Sequence, residues 1–245
     1  MLSQLKRIAM WASPRCLSTV LLRSWASRPD TFVQDEPLYP HYLLVSGRKD
    51  FGRDEVLSRY ETDWRKIVQQ VTTGTIPNEK SIYYQKFMVY RLLPHISTSW
   101  IYQLTNCFLI REPREMILSY LRLWPNPTME TIGILRPKQL FESVCDYHGG
   151  VPPVIDAQDL LENPQHILSL LCKALEIEFT EAMLKWPIGN PTEDVWSKYE
   201  WYDTARNSTG FHPYKPKTDP IPDQFQDLLA QCNQVYRELY KYRLV

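Results

Sequence analysis

Neither sign of charge dominates this 245-residue chain: Lys plus Arg and Asp plus Glu both total 28, so the net charge is zero. A bulk electrostatic hold on nucleic acid or an anionic membrane needs one sign in excess, so neither partner is expected. Any anion bound here is held by local geometry. Cysteine is sparse, with Cys16, Cys107, Cys145, Cys172 and Cys232 far apart, odd in number and without a C-x-x-C pair. That spacing suggests neither a metal site nor a disulfide framework. No apolar run approaches the roughly 20 residues of a spanning helix, and the N-terminus lacks the apolar core of a signal peptide. A cytoplasmic home is the simplest expectation. The pattern G-x-x-x-x-G-K-[ST] is absent as well, which weighs against a kinase or NTPase. Asp156, at a strand end, keeps that class open as a candidate metal-holding acid.

What the chain has is an alternation of short apolar runs with helical patterns and no internal repeat. It predicts one α/β domain over residues 1–245, with a mostly parallel central sheet flanked by helices. The organising stretch is 6–25. Arg7 to Ala12 suits a buried strand, Ser13-Pro14 breaks it, and from Leu17 the spacing turns helical, with Val20, Leu21 and Trp25 on one face. A helix start leaves backbone N–H groups without intrahelical partners, and Arg15, Ser18 and Thr19 converge on the same place. An anion site is one reading; an ordinary turn capped by Ser18 and Thr19 is the other.

Further strands are expected at Thr31-Phe32-Val33, running into Gln34-Asp35-Glu36-Pro37, at Ile82 to Met88, at Cys107 to Ile110 and at Pro153 to Ile155. Two acids at a strand end suit the ligand edge of a parallel sheet, or one of them caps the next segment. Lys86 could reach the same crevice. Arg111-Glu112-Pro113-Arg114-Glu115 repeats the opening logic, with an arginine at the strand tip and a proline in the first helical turn. Helices are expected at 54–71, 92–104, 139–147, 164–175 and 222–243, and a helix start at Asp159. Residues 72–78 are expected as a loop and 124–137 as a loop or lid. The turn Arg206 to Phe211 is polar and contains Gly210.

Together these residues resemble the sulfotransferase family that uses 3′-phosphoadenosine 5′-phosphosulfate. Pro14-Arg15-Cys16-Leu17-Ser18-Thr19 resembles its 5′-phosphosulfate loop, P-[KR]-S-G-[ST]-[ST]. Arg111-Glu112-Pro113-Arg114 with Ser119 matches its 3′-phosphate motif, R-x-P-[RK]-x-x-x-x-S, and Asp159 to Pro164 resembles its E/D-D-L-x-x-x-P segment. The resemblance implies a P-loop-type α/β fold, that donor as co-substrate, no metal, and transfer of a sulfuryl group to a small-molecule hydroxyl or amine. It implies donor contacts from Pro14 to Thr19 and from Arg111 and Ser119. A looser match to the family's C-terminal Arg-Lys-Gly loop adds Arg206, Ser208, Thr209 and Gly210. Cys16-Leu17 departs from the usual Ser-Gly, and Lys86-Phe87-Met88 lacks the histidine of the Lys-x-His branch. Other branches carry a glutamate base just after the second strand, so the base role falls to Glu36, with Arg15 and Lys86 beside it. His41 and His95 are rival bases, Cys16 a weaker rival as nucleophile, and a binding module without catalysis the remaining alternative. The acceptor pocket is expected along 38–52, 54–71 and 124–137, with Tyr39, Tyr42, Phe51 and Trp124 as candidate walls. Oligomeric state is not legible.

Overall fold

The computed structural model describes residues 5–77, 79–190 and 192–245. Its strands are β1 (Lys6–Ala12), β2 (Thr31–Asp35), β3 (Ile82–Met88), β4 (Thr105–Ile110) and β5 (Val154–Asp156). They form one sheet in the order β2-β3-β1-β4-β5, and every described pairing is parallel. The helices are α1 (Ser18–Ala26), α2 (Tyr39–Ser46), α3 (Arg53–Arg59), α4 (Trp64–Thr73), α5 (Pro113–Leu121), α6 (Met129–Ile132), α7 (Leu135–His148), α8 (Ala157–Glu162), α9 (Pro164–Ala174), α10 (Asp203–Arg206) and α11 (Gln226–Tyr240). None of these is long and apolar enough to cross a membrane.

β1 sits at the centre and is buried on both faces. Ile8, Met10 and Ala12 join the core shared with α1, α5, α8 and α9, while Ala9 and Trp11 join the core shared with α4 and α7. That two-sided burial is why the run is apolar without alternation. The chain leaves β1 toward β2 on one side and leaves β4 toward β5 on the other. The crevice between the ends of β1 and β4 is therefore the switch point where open α/β sheets bind ligands.

Several expected elements differ. The 54–71 helix is two helices: Tyr60 is extended (φ −118°, ψ 152°), and Asp63 starts α4 by accepting a hydrogen bond from Arg65 N at 2.9 Å. Tyr60 leaves the stripe, packing on Trp196 with its hydroxyl accepting from Val195 N. The 92–104 segment is not a helix. Leu92, Ile96, Trp100 and Leu104 are buried at the spacing that suggested one, but Pro94 supplies no N–H and only short 3₁₀ turns form, at Val89–Arg91 and Ser99–Gln103. Residues 124–137 contain α6 and the start of α7. Thr72 and Thr73 belong to α4, and Asn78, at the end of the expected loop, lies outside the described residues.

The start of α8 is set by Asp156 rather than Asp159. Asp156 Oδ1 accepts from Gln158 N at 2.8 Å and from Asp159 N at 3.4 Å, while Oδ2 accepts from Tyr236 OH at 2.8 Å. Both oxygens hold α8 and α11 to the sheet, so the residue once open as a metal ligand is a cap. Asp156→Ala removes the cap and strips Tyr236 of its partner. It is expected to cost about 1–3 kcal/mol of stability, read as a lower urea midpoint; an unchanged midpoint contradicts the assignment.

Candidate active site at the β1–β4 crevice

The β1–α1 turn is strained where it approaches the crevice. Arg15 (φ 66°) and Leu17 (φ 67°) both sit in the left-handed region, and no side chain caps α1. The position the resemblance gives to glycine is thus one that needs positive φ, and leucine holds it. No side chain takes up the first N–H groups of α1, and Leu17 to Val20 line the crevice, which favours the anion site over the capped turn. Cys16 faces the other way. It is buried, 3.6 Å from Met116 Sδ, and burial pushes its thiol up to about 12, so it is no nucleophile.

The second strand tip is tied directly to the first. Arg111 Nη1 donates to the carbonyl of Arg15 at 2.7 Å, and Arg15 Nε donates to Ser119 Oγ on α5 at 3.0 Å. Arg111 Nη2 also donates to Glu115 at 3.0 Å. Glu115 receives Lys217 as well, through its backbone N at 2.7 Å and its ammonium. Arg15, Arg111, Arg122 and Lys217 all line this end of the crevice. Burial and the charges of Arg111 and Arg122 lower the pKa of both Arg15 and Lys217. Four cations crowd around one paired carboxylate, and an anion relieves that crowding. This end of the crevice suits an anionic group such as a phosphate.

At the opposite end, β2 finishes in Asp35, and Glu36 follows directly after it. Glu36 (φ 49°) is another non-glycine residue in the left-handed region; its N–H still donates to Lys86 O at 2.9 Å. Lys86 Nζ lies 2.7 Å from Asp35 Oδ1 and 3.0 Å from Glu36 Oε1, and it donates to Thr19 Oγ1 at 3.2 Å. Arg91 pairs with the other Glu36 oxygen. Burial lowers the pKa of Lys86 and brings Arg91 down to about 10. Asp194, beside this group, is raised to about 6 by burial and by the charge of Asp35. Lys86 therefore connects the candidate base to the β1–α1 turn.

The crevice, about 460 Å³, lies within the usual range of ligand pockets. Pro14, Arg15, Leu17, Ser18, Thr19, Glu36, Lys86, Arg111 and Ser119 line it together. Arg206, Ser208, Thr209 and Gly210 do not. Arg206 pairs with Asp203, Ser208 is buried between Trp186 and the carbonyl of Ala205, and Thr209 and Gly210 pair with the strip around Lys185-Trp186. Thr204 and Ala205 reach the crevice in their place. His41 and His95 also lie off it: His41 Nδ1 is 2.8 Å from Thr62 O, and the two Nε2 atoms are 2.8 Å apart. Phe51 and Trp124 line the crevice, whereas Tyr39 and Tyr42 stand behind Arg91, and neither α3 nor α4 contributes.

Sequence reasoning missed Tyr90, Arg91, Arg122, Trp201, Tyr202 and Lys217, which also line the crevice, and reached Arg48 and Asp50 only as part of the 38–52 stretch. Arg122 carried a faint signal, three residues beyond Ser119 at the C-terminal cap of α5. Lys217 and Tyr202 carried none, since each arrives from a late segment with no regular period.

The family described as "Sulfotransferase domain" matches residues 6–243. An Arabidopsis thaliana protein named "Branched-chain-amino-acid aminotransferase-like protein 2" is 34% identical over 233 residues, 95% of this chain and 41% of the relative. The chain thus spans about two fifths of that relative's length. Among solved structures, the sulfotransferase domain of the Synechococcus PCC 7002 olefin synthase aligns over 100% of this chain and 98% of its own, at TM-score 0.55 and 17% identity. A sulfotransferase from Alicyclobacillus acidocaldarius aligns over 98% and 97%, at TM-score 0.58 and 11% identity. These two likenesses speak to the fold, and the family match extends across nearly the whole sequence: the chain belongs to the sulfotransferase-domain family.

Proposed function

We propose that this chain transfers a sulfuryl group from 3′-phosphoadenosine 5′-phosphosulfate to a hydroxyl, or an amine, of a small-molecule acceptor. The observation that carries the reading is the pairing of a cationic end, built on the Arg111–Arg15 contact, with a buried carboxylate, Glu36, at the other end of the same crevice. The name of the Arabidopsis relative belongs to a protein of which the matched stretch is about two fifths, and no residue role is taken from it. No metal is part of the proposal.

When bound, the donor supplies a sulfuryl group that passes in line between two oxygens, a transfer that asks the protein for positioning and charge neutralisation. Arg111 and Ser119, with Arg122 and Lys217 beside them, are proposed to hold the 3′-phosphate. The N–H groups at the start of α1, with Ser18 and Thr19, would hold the 5′ end. Arg15 spans the two and would meet charge as it develops on the leaving side. Lys86, in contact with both Thr19 and Glu36, orients base and donor loop together. Glu36 would take the acceptor's proton. Both of its oxygens are engaged by Lys86 and Arg91, so the acceptor group must displace one contact to reach it. The same engagement is what favours a second reading, a donor-binding module in which Glu36 stays locked.

Two variants separate these readings. Glu36→Gln is expected to lower sulfuryl transfer by about 10²–10⁴-fold while calorimetry finds binding of adenosine 3′,5′-bisphosphate retained; undiminished transfer removes Glu36 from the role, and no transfer by the native chain to any acceptor in a broad panel favours the binding module. Arg122→Met, which leaves the Arg111–Arg15 contact in place, is expected to weaken that bisphosphate by about 10–100-fold and adenosine 5′-phosphate much less. Equal losses for both nucleotides contradict a 3′-phosphate contact.

A further inference from the structure

Asp35 and Glu36 are consecutive, and along an extended strand their side chains would take opposite faces. The left-handed backbone at Glu36 turns its side chain back, so both carboxylates meet at one buried point. There the Tyr202 hydroxyl lies 2.6 Å from Asp35 Oδ2 and 3.0 Å from Glu36 Oε1. Lys86 Nζ donates to the same hydroxyl at 3.2 Å. Asp35, Lys86, Tyr202 and Glu36 are 1%, 1%, 3% and 5% exposed. Tyr202 is brought there by the segment after Asp194, whose Val195, Trp196 and Tyr199 pack with Tyr39, Leu43 and Val56.

A phenol has one hydrogen to donate and an oxygen that accepts. The shorter contact gives that hydrogen to Asp35, leaving the Tyr202 oxygen facing Glu36. We infer that Tyr202 relays to Asp35 the proton that Glu36 removes from the acceptor, an inference that rests on the sulfotransferase reading above. In the step, the O–H bond on Glu36 Oε1 breaks and its proton bonds to the Tyr202 oxygen. The original Tyr202 O–H bond breaks as that hydrogen moves to Asp35 Oδ2. Tyr202 ends as a neutral phenol, Glu36 as a carboxylate and Asp35 as a carboxylic acid; no electron is gained or lost. Glu36 thereby recovers its charge against Arg91 before product leaves the crevice. Burial and the charge of Asp35 push the Tyr202 hydroxyl well above its ordinary range, so it passes a proton on and does not ionise. Tyr202 is thus a positioning and relay residue behind the base.

The test is Tyr202→Phe in the full chain, which keeps the ring in its aromatic packing and removes only the hydroxyl. The probe is 3′-phosphoadenosine 5′-phosphosulfate with water as acceptor, followed by release of adenosine 3′,5′-bisphosphate, whose affinity is measured separately by calorimetry. The variant is expected to lose about 10–100-fold in kcat, with donor KM and bisphosphate affinity unchanged. In mixtures of light and heavy water, the native rate is expected to fall along a curve, as more than one proton moves, and the variant rate along a straight line. A variant that matches the native kcat, or that keeps the curved dependence, overturns the relay. So does a variant whose loss lies in KM and nucleotide affinity, since the hydroxyl is then structural. A native chain that binds the bisphosphate and never releases it from the donor, with water or with any acceptor in the panel, overturns the sulfotransferase reading and the relay together, a result distinct from the others.

Discussion

The contact on which this site depends is the hydrogen bond from the Arg111 guanidinium to the carbonyl of Arg15, 2.7 Å long. It fastens the tip of β4 to the turn after β1. Parallel pairing of the two strands already sends both tips to one edge of the sheet. The bond then fixes how far apart they stand, and Arg15 reaches back to Ser119 to close the ring. Like charges are held together in this way before any ligand arrives. The protein bears that repulsion in the folded state through burial of Glu115 between Arg111 and Lys217. Preorganised charge of this kind does not have to be gathered again at the moment of reaction.

The other end of the crevice follows opposite electrostatics. Asp35 and Glu36 are balanced by Lys86 and Arg91, and a phenol bridges the two acids. A buried ion group is costly to assemble and is strongly destabilised when one member is removed. Its members come from β2, the residue after β2, β3, the turn after β3 and the segment before α10, so assembling it fixes that end of the crevice. Arg15, Leu17 and Glu36 are three of the four non-glycine residues with positive φ among the described residues, and all three line this crevice. Backbone strain concentrates where ligands are handled, which is where surrounding structure can hold it.

Much of this was legible in the chain, for a local reason. β1, β4 and the turns after them are continuous runs in which burial, a break and a helix start follow within about a dozen residues, so Arg15, Ser18, Thr19 and Arg111 could be named from spacing, and Ser119 only through the family resemblance. Glu36 and Lys86 could be placed at strand ends for the same reason. Tyr202 and Lys217 could not, because each enters from a segment whose position is set by tertiary packing. The turn from Arg206 to Gly210 entered through a loose match to the family's C-terminal loop, and its polar groups are spent on Asp203, Trp186 and the Lys185 strip. Leu92 to Leu104 misled by period, since its buried residues keep a helical spacing that Pro94 prevents the backbone from adopting.

The central claim is that two adjacent strand tips grip opposite ends of one nucleotide. A crystal structure of the chain with adenosine 3′,5′-bisphosphate tests it most directly. The account predicts the 5′-phosphate against the backbone N–H groups of Ser18 and Thr19 and the 3′-phosphate between Arg111 and Ser119. A nucleotide bound elsewhere, or one whose 3′-phosphate points into solvent away from Arg111, would contradict it.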